Sequence, residues 1–284
     1  MNSTFLTLIP KCEKPLNFAD FWPISLCNLV YKIISKIATN RLKPILNRSL
    51  SANQFGFLKD RQITEPVGIT QELLHSIKTK NSDSLVLKLD LVKSFDRVNW
   101  TFIRLLLIQI GIPLMGVNWI MGCITGSCLA VLVNGTPSEF FSVSRGLRQG
   151  CPLSPLLFIL IMEGLSRIIL DAQHLGKIMG FRYSPNLSIT HLFFVDDVIL
   201  IGAGTIDEWR AYKEALDLFC GVSGMVISPI KSSFLYQNVD SEFREELVGL
   251  FPFKMDPITV GFKYLGFYLK PLGYHTSDLA CHFI

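Results

Sequence analysis

Apolar residues recur along this chain in two rhythms, one helical and one strand-like. From Leu26 to Leu46, Leu, Val, Ile and Ala return at helical spacing with lysines between them, and Pro44 is expected to stop that amphipathic helix. A second helix is predicted over Glu65 to Lys78. Ser84 to Leu91 (SLVLKLDL) alternates as a strand does, and leads into a helix from Trp100 to Ile110 that Gly111 and Pro113 terminate. Between Leu129 and Val143 two apolar runs flank Asn134-Gly135, a strong hairpin signal because both residues tolerate the left-handed turn. Pro152 opens a long apolar helix. Ile189 to Phe194 and Val198 to Ile201 bracket Asp196-Asp197, and a helix is predicted from Asp207 to Cys220. Strand-like runs follow at Met225 to Ser228, Ser232 to Tyr236 and Tyr264 to Leu269. The sum is an α+β chain, an antiparallel sheet with helices packed on one face.

Composition narrows this picture without naming a function. At 284 residues and 49% hydrophobic, the chain can bury a large core as one domain, with room for a smaller subdomain. No repeat or low-complexity linker cuts it into modules. A net charge of +4 suits a polyanionic partner but does not by itself point to nucleic acid. Seven cysteines, an odd number without a Cys-x-x-Cys pair or zinc spacing, suggest a reduced intracellular chain. The start, MNSTFLTLIPK, lacks a secretory pattern, and the apolar stretch Pro152 to Leu170 is interrupted by Pro155, Glu163 and Arg167. A soluble protein of the nucleus or cytoplasm, with no membrane partner, is therefore expected.

Asp196 and Asp197 stand out, because two carboxylates between apolar strands must turn to water or bear a desolvation penalty of several kcal/mol. A tight turn with Asp at its tip accounts for them equally well when they are taken alone. Asp90 changes the balance, since it ends a second apolar strand. If the two strands adjoin, three carboxylates converge and need a cation to stay ionised together. Magnesium suits hard oxygen ligands, and two ions about 3.5–4 Å apart could serve an in-line phosphoryl transfer.

An ordered set of motifs then carries a resemblance. Leu8-Ile9-Pro10-Lys11 precedes Asp20-Phe21-Trp22-Pro23-Ile24-Ser25-Leu26-Cys27-Asn28 and Tyr31-Lys32-Ile33-Ile34. Lys88-Leu89-Asp90-Leu91-Val92-Lys93-Ser94-Phe95-Asp96 runs on to Trp100, and Arg145-Gly146-Leu147-Arg148-Gln149-Gly150 precedes Pro152-Leu153-Ser154-Pro155. Phe194-Val195-Asp196-Asp197 and Lys263-Tyr264-Leu265-Gly266 complete the series. In this order the chain resembles the reverse transcriptase domain of plant non-LTR (LINE-type) retrotransposons over nearly its whole length.

The resemblance implies a right-hand polymerase, with fingers near residues 1–83 and in part 100–150, palm near 84–99 and 150–270, a missing or truncated thumb, and a C-terminal stub at 271–284. It implies RNA-directed DNA polymerase activity, with an RNA template, a DNA primer and a dNTP as partners and no small-molecule cofactor. Asp90, Asp196 and Asp197, with the backbone carbonyl of Leu91, would hold two magnesium ions, manganese being a substitute. Phe95 would be the steric gate against a ribose 2′-hydroxyl; Arg148 and Gln149 would meet nucleotide or template; Lys11 and Lys231 would face the triphosphate and the leaving pyrophosphate.

The chain also departs from the family. Trp22 stands where an arginine is usual, removing a fork suited to phosphate. Cys151 replaces an aspartate, and Asp60 replaces a glycine, a mild change if that residue has positive φ. Ser228 stands for Asn, and the box reads Phe-Val-Asp-Asp rather than Phe-Ala-Asp-Asp. These departures keep a second hypothesis open, a catalytically impaired remnant that at most binds nucleic acid. A two-metal nuclease or phosphatase could also use three carboxylates, but it gives no reason for the Arg-Gly-Leu-Arg-Gln-Gly loop.

Overall fold

The structure, a computed structural model, describes residues 3–273. In chain order its elements are β1 (Ser3–Pro10), β2 (Phe21–Leu26), α1 (Leu29–Ser49), α2 (Thr64–Thr79), β3 (Ser84–Leu89), α3 (Ser94–Arg97), α4 (Trp100–Gln109) and α5 (Leu114–Ile124). Then come β4 (Cys128–Val133), β5 (Thr136–Pro137), β6 (Phe141–Ser142), α6 (Ser154–His174), β7 (Phe181–Ser184), β8 (Leu187–Ile189), β9 (His191–Phe194) and β10 (Asp197–Ala203). The last are α7 (Ile206–Ser223), β11 (Ser233–Gln237), α8 (Ser241–Leu250), β12 (Lys254–Pro257), β13 (Phe262–Tyr264) and β14 (Phe267–Leu269). They pack as two compact units.

The first unit takes its described residues from Met1–Leu50, Lys93–Ile161 and Val222–Gly224. Its sheet runs β2-β1-β4-β5, with β6 also on β4. β1 pairs β2 antiparallel, from Phe5 opposite Leu26 to Pro10 opposite Phe21, and pairs β4 in parallel. The predicted turn is present: Asn134 and Gly135 have φ of 50° and 81°, and Val133 faces Thr136 across it. Asn28 caps α1 by accepting from the Tyr31 N–H at 2.8 Å. Contrary to the expectation at Pro44, α1 continues to Ser49. Pro44 and Asn40, whose carbonyl loses its N–H partner, are both exposed, so water can take the orphaned acceptor. Asn99 caps α4, and Gly111, at φ 82°, releases the chain after it.

The second unit takes its described residues from Ser51–Val92, Met162–Gly221 and Met225–Ile284. Its sheet has the order β12-β11-β3-β10-β9, antiparallel except for the parallel pair β11 and β12. β3 is central, and every residue of it except Lys88 is buried, so it needs a layer on each side. On one face Leu73, Leu74 and Ile77 of α2 join Val86, Ile199, Ile201 and Leu235 in a core cluster. On the other, Trp209 of α7 stands edge-on to Phe234, with ring centroids 4.9 Å apart. Helices thus cover both faces, where one was expected, because Leu85, Val86, Leu87 and Leu89 put apolar side chains on both faces of β3. The same cluster draws α2 into this unit.

Two strand expectations change. Met225 to Ser228 forms only an isolated bridge, Ile227 to Leu91. The run Tyr264 to Leu269 is broken by Leu265 and Gly266, at φ 49° and 88°, into the hairpin β13–β14. Most of the stub expected at 271–284 lies outside the described residues. No described helix is long and apolar enough to cross a membrane.

Candidate functional site

The second unit brings the three carboxylates to one corner of its sheet. β3 and β10 pair with Leu89 opposite Val198, and extending that register by one residue sets Asp90 opposite Asp197. Residues so placed have Cβ atoms about 4.5–5.5 Å apart. Asp196 lies in the two-residue turn between β9 and β10, whose closing pair is Phe194 and Asp197. Burial pushes the Asp197 carboxyl up to about 6; Asp196 and Asp90 push the same way and Lys88 opposes them. The Lys88 ammonium is itself held by the carbonyl of Lys263 in the β13–β14 hairpin, 2.7 Å away.

Asp90 is fixed through its backbone. Its N–H donates to the Ser232 hydroxyl at 3.1 Å, and its carbonyl accepts from the Ser228 N–H at 2.9 Å. Val92 N–H donates to Val226, so the bonds around the bridge run through the neighbours of Leu91 and leave the Leu91 carbonyl outside it. Lys231 is exposed on this same clamping segment, next to Ser232.

The turn carrying Asp196 is strained. Val195 has φ 59°, a conformation that β-branched residues avoid. Gln54, fully buried, holds it: its side-chain oxygen accepts from the N–H of Val195 at 3.2 Å and of Gly56 at 2.9 Å. The backbone of Asn53 and Phe55 is bonded to Phe193 on either side. A Cβ on Gly56 would lie 2.5 Å from the Val195 side chain. Gln54 and Gly56 are therefore the residues that sequence reasoning missed. A polar residue three positions after Leu50-Ser51 gives no hint of a partner some 140 residues away.

Asp90, Asp196 and Asp197 offer hard oxygens whose mutual repulsion a divalent cation would relieve. The buried Tyr264 hydroxyl, which has no hydrogen-bond partner and feels the charge of Asp197, adds a polar atom to this corner. Among the described residues no three or more His, Cys, Asp or Glu side chains gather closely enough to form a complete metal cage. Magnesium does not require one, since it takes one or two carboxylates and fills its shell with phosphate and water oxygens. The donor set fits such an ion.

The first unit holds Phe95, Gln149, Arg148, Cys151, Lys11 and Trp22. Phe95, on α3, is half-buried and stacked on Phe158 with centroids 4.4 Å apart. The loop from Arg145 to Gly150 is braced against α3: Leu147 N–H donates to the Phe95 carbonyl at 2.7 Å, and Gly146, at φ 93°, lies where a Cβ would meet the Asp96 carbonyl at 2.7 Å. The Gln149 carbonyl accepts from the Ser25 N–H of β2. Gln149, Arg145, Asp96 and Ser127 share the lining of a cavity of about 240 Å³.

Arg148 is placed otherwise than a nucleotide ligand would be. It is buried, 4.3 Å above the Tyr31 ring, and donates to the Thr4 hydroxyl and the Cys123 carbonyl. An inward guanidinium this well engaged braces the fold. Cys151, also buried, meets the Tyr31 hydroxyl at 3.1 Å. Lys11 is exposed, with its ammonium 6.0 Å from the centre of the Trp22 ring, and Trp22 pairs with Ile9 in β1. Asp60, in the second unit, has φ 62°, the left-handed conformation that glycine would take there most easily.

Comparisons with known proteins bear on the family and the fold. The chain is 28% identical over 233 residues, 82% of its length, to the transposon TX1 uncharacterized 149 kDa protein of Xenopus laevis, and covers 17% of that protein. It is 28% identical over 223 residues, 78% of its length, to the Pol polyprotein of the R2DM retrotransposable element of Drosophila melanogaster, covering 20% of it. The chain thus spans about a fifth of the length of these relatives. A telomerase from Candida tropicalis has the same fold, with a TM-score of 0.61 at 13% identity, covering 95% of this chain and 54% of that one. Residues 9–269 match the family described as reverse transcriptase (RNA-dependent DNA polymerase), and the chain belongs to that family.

Proposed function

We propose that this chain is the reverse transcriptase domain of a plant LINE-type, non-LTR retrotransposon, extending a DNA primer on an RNA template from dNTPs. The observation that carries the chemistry is Asp90 facing Asp197 across β3 and β10, with Asp196 in the adjoining turn. Similarity to the TX1 and R2 proteins supports the element type. Plant origin draws support from 50% identity over 70 residues, 24% of this chain and 57% of the relative, to the Arabidopsis thaliana mitochondrial protein AtMg01250.

Reverse transcriptases use divalent metal ions. Here Asp90, Asp196 and Asp197, with the Leu91 carbonyl, would hold two magnesium ions, or manganese in their place. When bound, the ions supply Lewis acidity for in-line attack of the primer 3′-hydroxyl on the α-phosphate. Phe95, held flat by Phe158, would crowd a 2′-hydroxyl and so favour deoxynucleotides. Gln149 would meet base or template from the wall of its cavity, and Lys11 and Lys231 would offer charge to phosphate oxygens. Arg148 acts at one remove, by fixing the loop that presents Gln149.

The test is primer extension on poly(rA)/oligo(dT) with magnesium, comparing the parent, Trp22→Arg, and Asp196→Asn with Asp197→Asn. Incorporation of dTTP by the parent that the double substitution abolishes is the expected result. Incorporation only after Trp22→Arg would locate a defect in triphosphate binding. Silence from all three well-folded proteins would overturn the proposal in favour of the impaired remnant.

A further inference from the structure

The second unit buries Tyr212 and Tyr264 and treats their hydroxyls differently. Tyr212 of α7 is 0% exposed, and its hydroxyl lies 2.9 Å from the Thr190 carbonyl and 2.8 Å from that of Ile201, so its donor is satisfied within the fold. Tyr264 of β13 is 1% exposed, and its hydroxyl, out of reach of water, has no hydrogen-bond partner among the described residues. A buried hydroxyl without a partner destabilises the chain that carries it. Packing does not require it, for Phe262, two residues earlier on the same strand, fills the same core cluster with a ring alone.

What the hydroxyl stands beside follows from strand alternation. Side chains two apart on a strand share a face of the sheet, as do residues directly opposite across a ladder. Tyr264 packs in one cluster with Val86 of β3 and with Ile199 and Ile201 of β10. Asp197, two residues before Ile199, belongs to that face, and so does Asp90, set opposite it. Burial, and after it the charge of Asp197, raises the pKa of the Tyr264 hydroxyl, so the group keeps its proton and stands as a donor. The hairpin is tied to the same face one residue away, where the Lys263 carbonyl accepts from Lys88 of β3 at 2.7 Å.

We propose that Tyr264 is a positioning residue of the carboxylate corner, its hydroxyl donating to the Asp197 carboxylate when that group holds a divalent cation, so that one oxygen serves the ion and the other is fixed by the hairpin. Hydrogen bonds of this kind orient a carboxylate ligand and strengthen its hold on a metal. The inference rests on the reading of Asp90, Asp196 and Asp197 as the metal-binding set. It explains a hydroxyl that the cation-free fold leaves unused: the penalty of burying it is offset only when the cation is held.

The test is a titration of the full chain with Mn2+ at neutral pH, with free ion read by electron paramagnetic resonance, and a thermal melt in EDTA beside it. Four proteins are compared: the parent, Tyr264→Phe, Tyr212→Phe, and Asp196→Asn with Asp197→Asn. Tyr264→Phe is expected to weaken Mn2+ binding at least ~10-fold while its Tm in EDTA holds or rises, because the residue lost had no partner there. Tyr212→Phe is expected to do the reverse, lowering Tm by stripping two buried carbonyls of their donor and leaving Mn2+ affinity unchanged. Parent-like Mn2+ affinity in Tyr264→Phe would overturn the proposal and leave the carboxylate site standing. A lowered Tm for Tyr264→Phe in EDTA, or equal loss of Mn2+ affinity in both tyrosine variants, would overturn it too, by making the hydroxyl a structural group. Mn2+ binding by the parent no tighter than by the aspartate double variant would remove the carboxylate site, and the proposal with it.

Discussion

The hairpin at Asn134-Gly135 and the hairpin at Val195-Asp196 both join their strands through two residues, under opposite conditions. The first has residues that accept positive φ at little cost, is exposed, and a Cβ on Gly135 would meet nothing within 4 Å. The second puts a valine at φ 59° and a carboxylate beside it, next to two further carboxylates. It keeps that shape because Gln54, Gly56 and the backbone around Phe193 hold it from outside. A turn that its own residues favour needs no scaffold, whereas a turn that presents charge is imposed by packing. The strain sits at the turn to which the proposed chemistry is assigned.

The comparison can be broken most severely at the carboxylates. Asp196→Asn with Asp197→Asn should lower dTTP incorporation on the order of a thousandfold or more while leaving the fold intact by circular dichroism. Gly56→Ala should come next: its methyl collides with Val195, and overpacking of this kind costs about 1–3 kcal/mol in denaturant unfolding. Adding Val195→Ala should recover part of that loss, and simple additivity of the two would refute the clamp. Gln54→Ala leaves two buried N–H groups without their acceptor, for about 1–3 kcal/mol in the same measurement. Gly135→Ala should cost only about 1 kcal/mol and leave primer extension unchanged.

Acidity sharpens the contrast further. With its folded pKa raised to about 6, Asp197 binds a proton more tightly in the folded chain than in the unfolded one. Its contribution is complete below the unfolded carboxylate value near ~3.9 and is lost as pH rises through about 6. In EDTA, the Tm of Asp197→Asn should therefore gain on the parent between pH 4 and 7, and magnesium should raise the parent's Tm at the upper end. A constant gap across that range would contradict the crowded site.

Much of this was legible in the residues. Asn134-Gly135 specified its own turn, the periodicity of Glu65 to Lys78 lies within α2, and the apolar runs around Asp90 and Asp196-Asp197 became β3, β9 and β10. What escaped was set by distant contacts. β1 keeps Phe5 and Ile9 exposed, so its apolar residues did not mark a core. Pro44 looked like a terminator because its exposure was not knowable from the chain, and Arg148 looked like a ligand because nothing local shows that Thr4, Tyr31 and Cys123 will enclose it. Gln54 was invisible for the same reason.

The central position of β3 has a consequence for synthesis. Its two neighbours, β10 and β11, are made more than a hundred residues after it, at 197–203 and 233–237. During translation an almost wholly apolar strand must therefore wait with both edges open, the state in which strands pair with other chains. A nascent chain that has not yet released β10 exposes both edges and one that lacks only β11 exposes one, so ribosome-bound fragments ending before Asp197 should be the ones that chaperones hold longest.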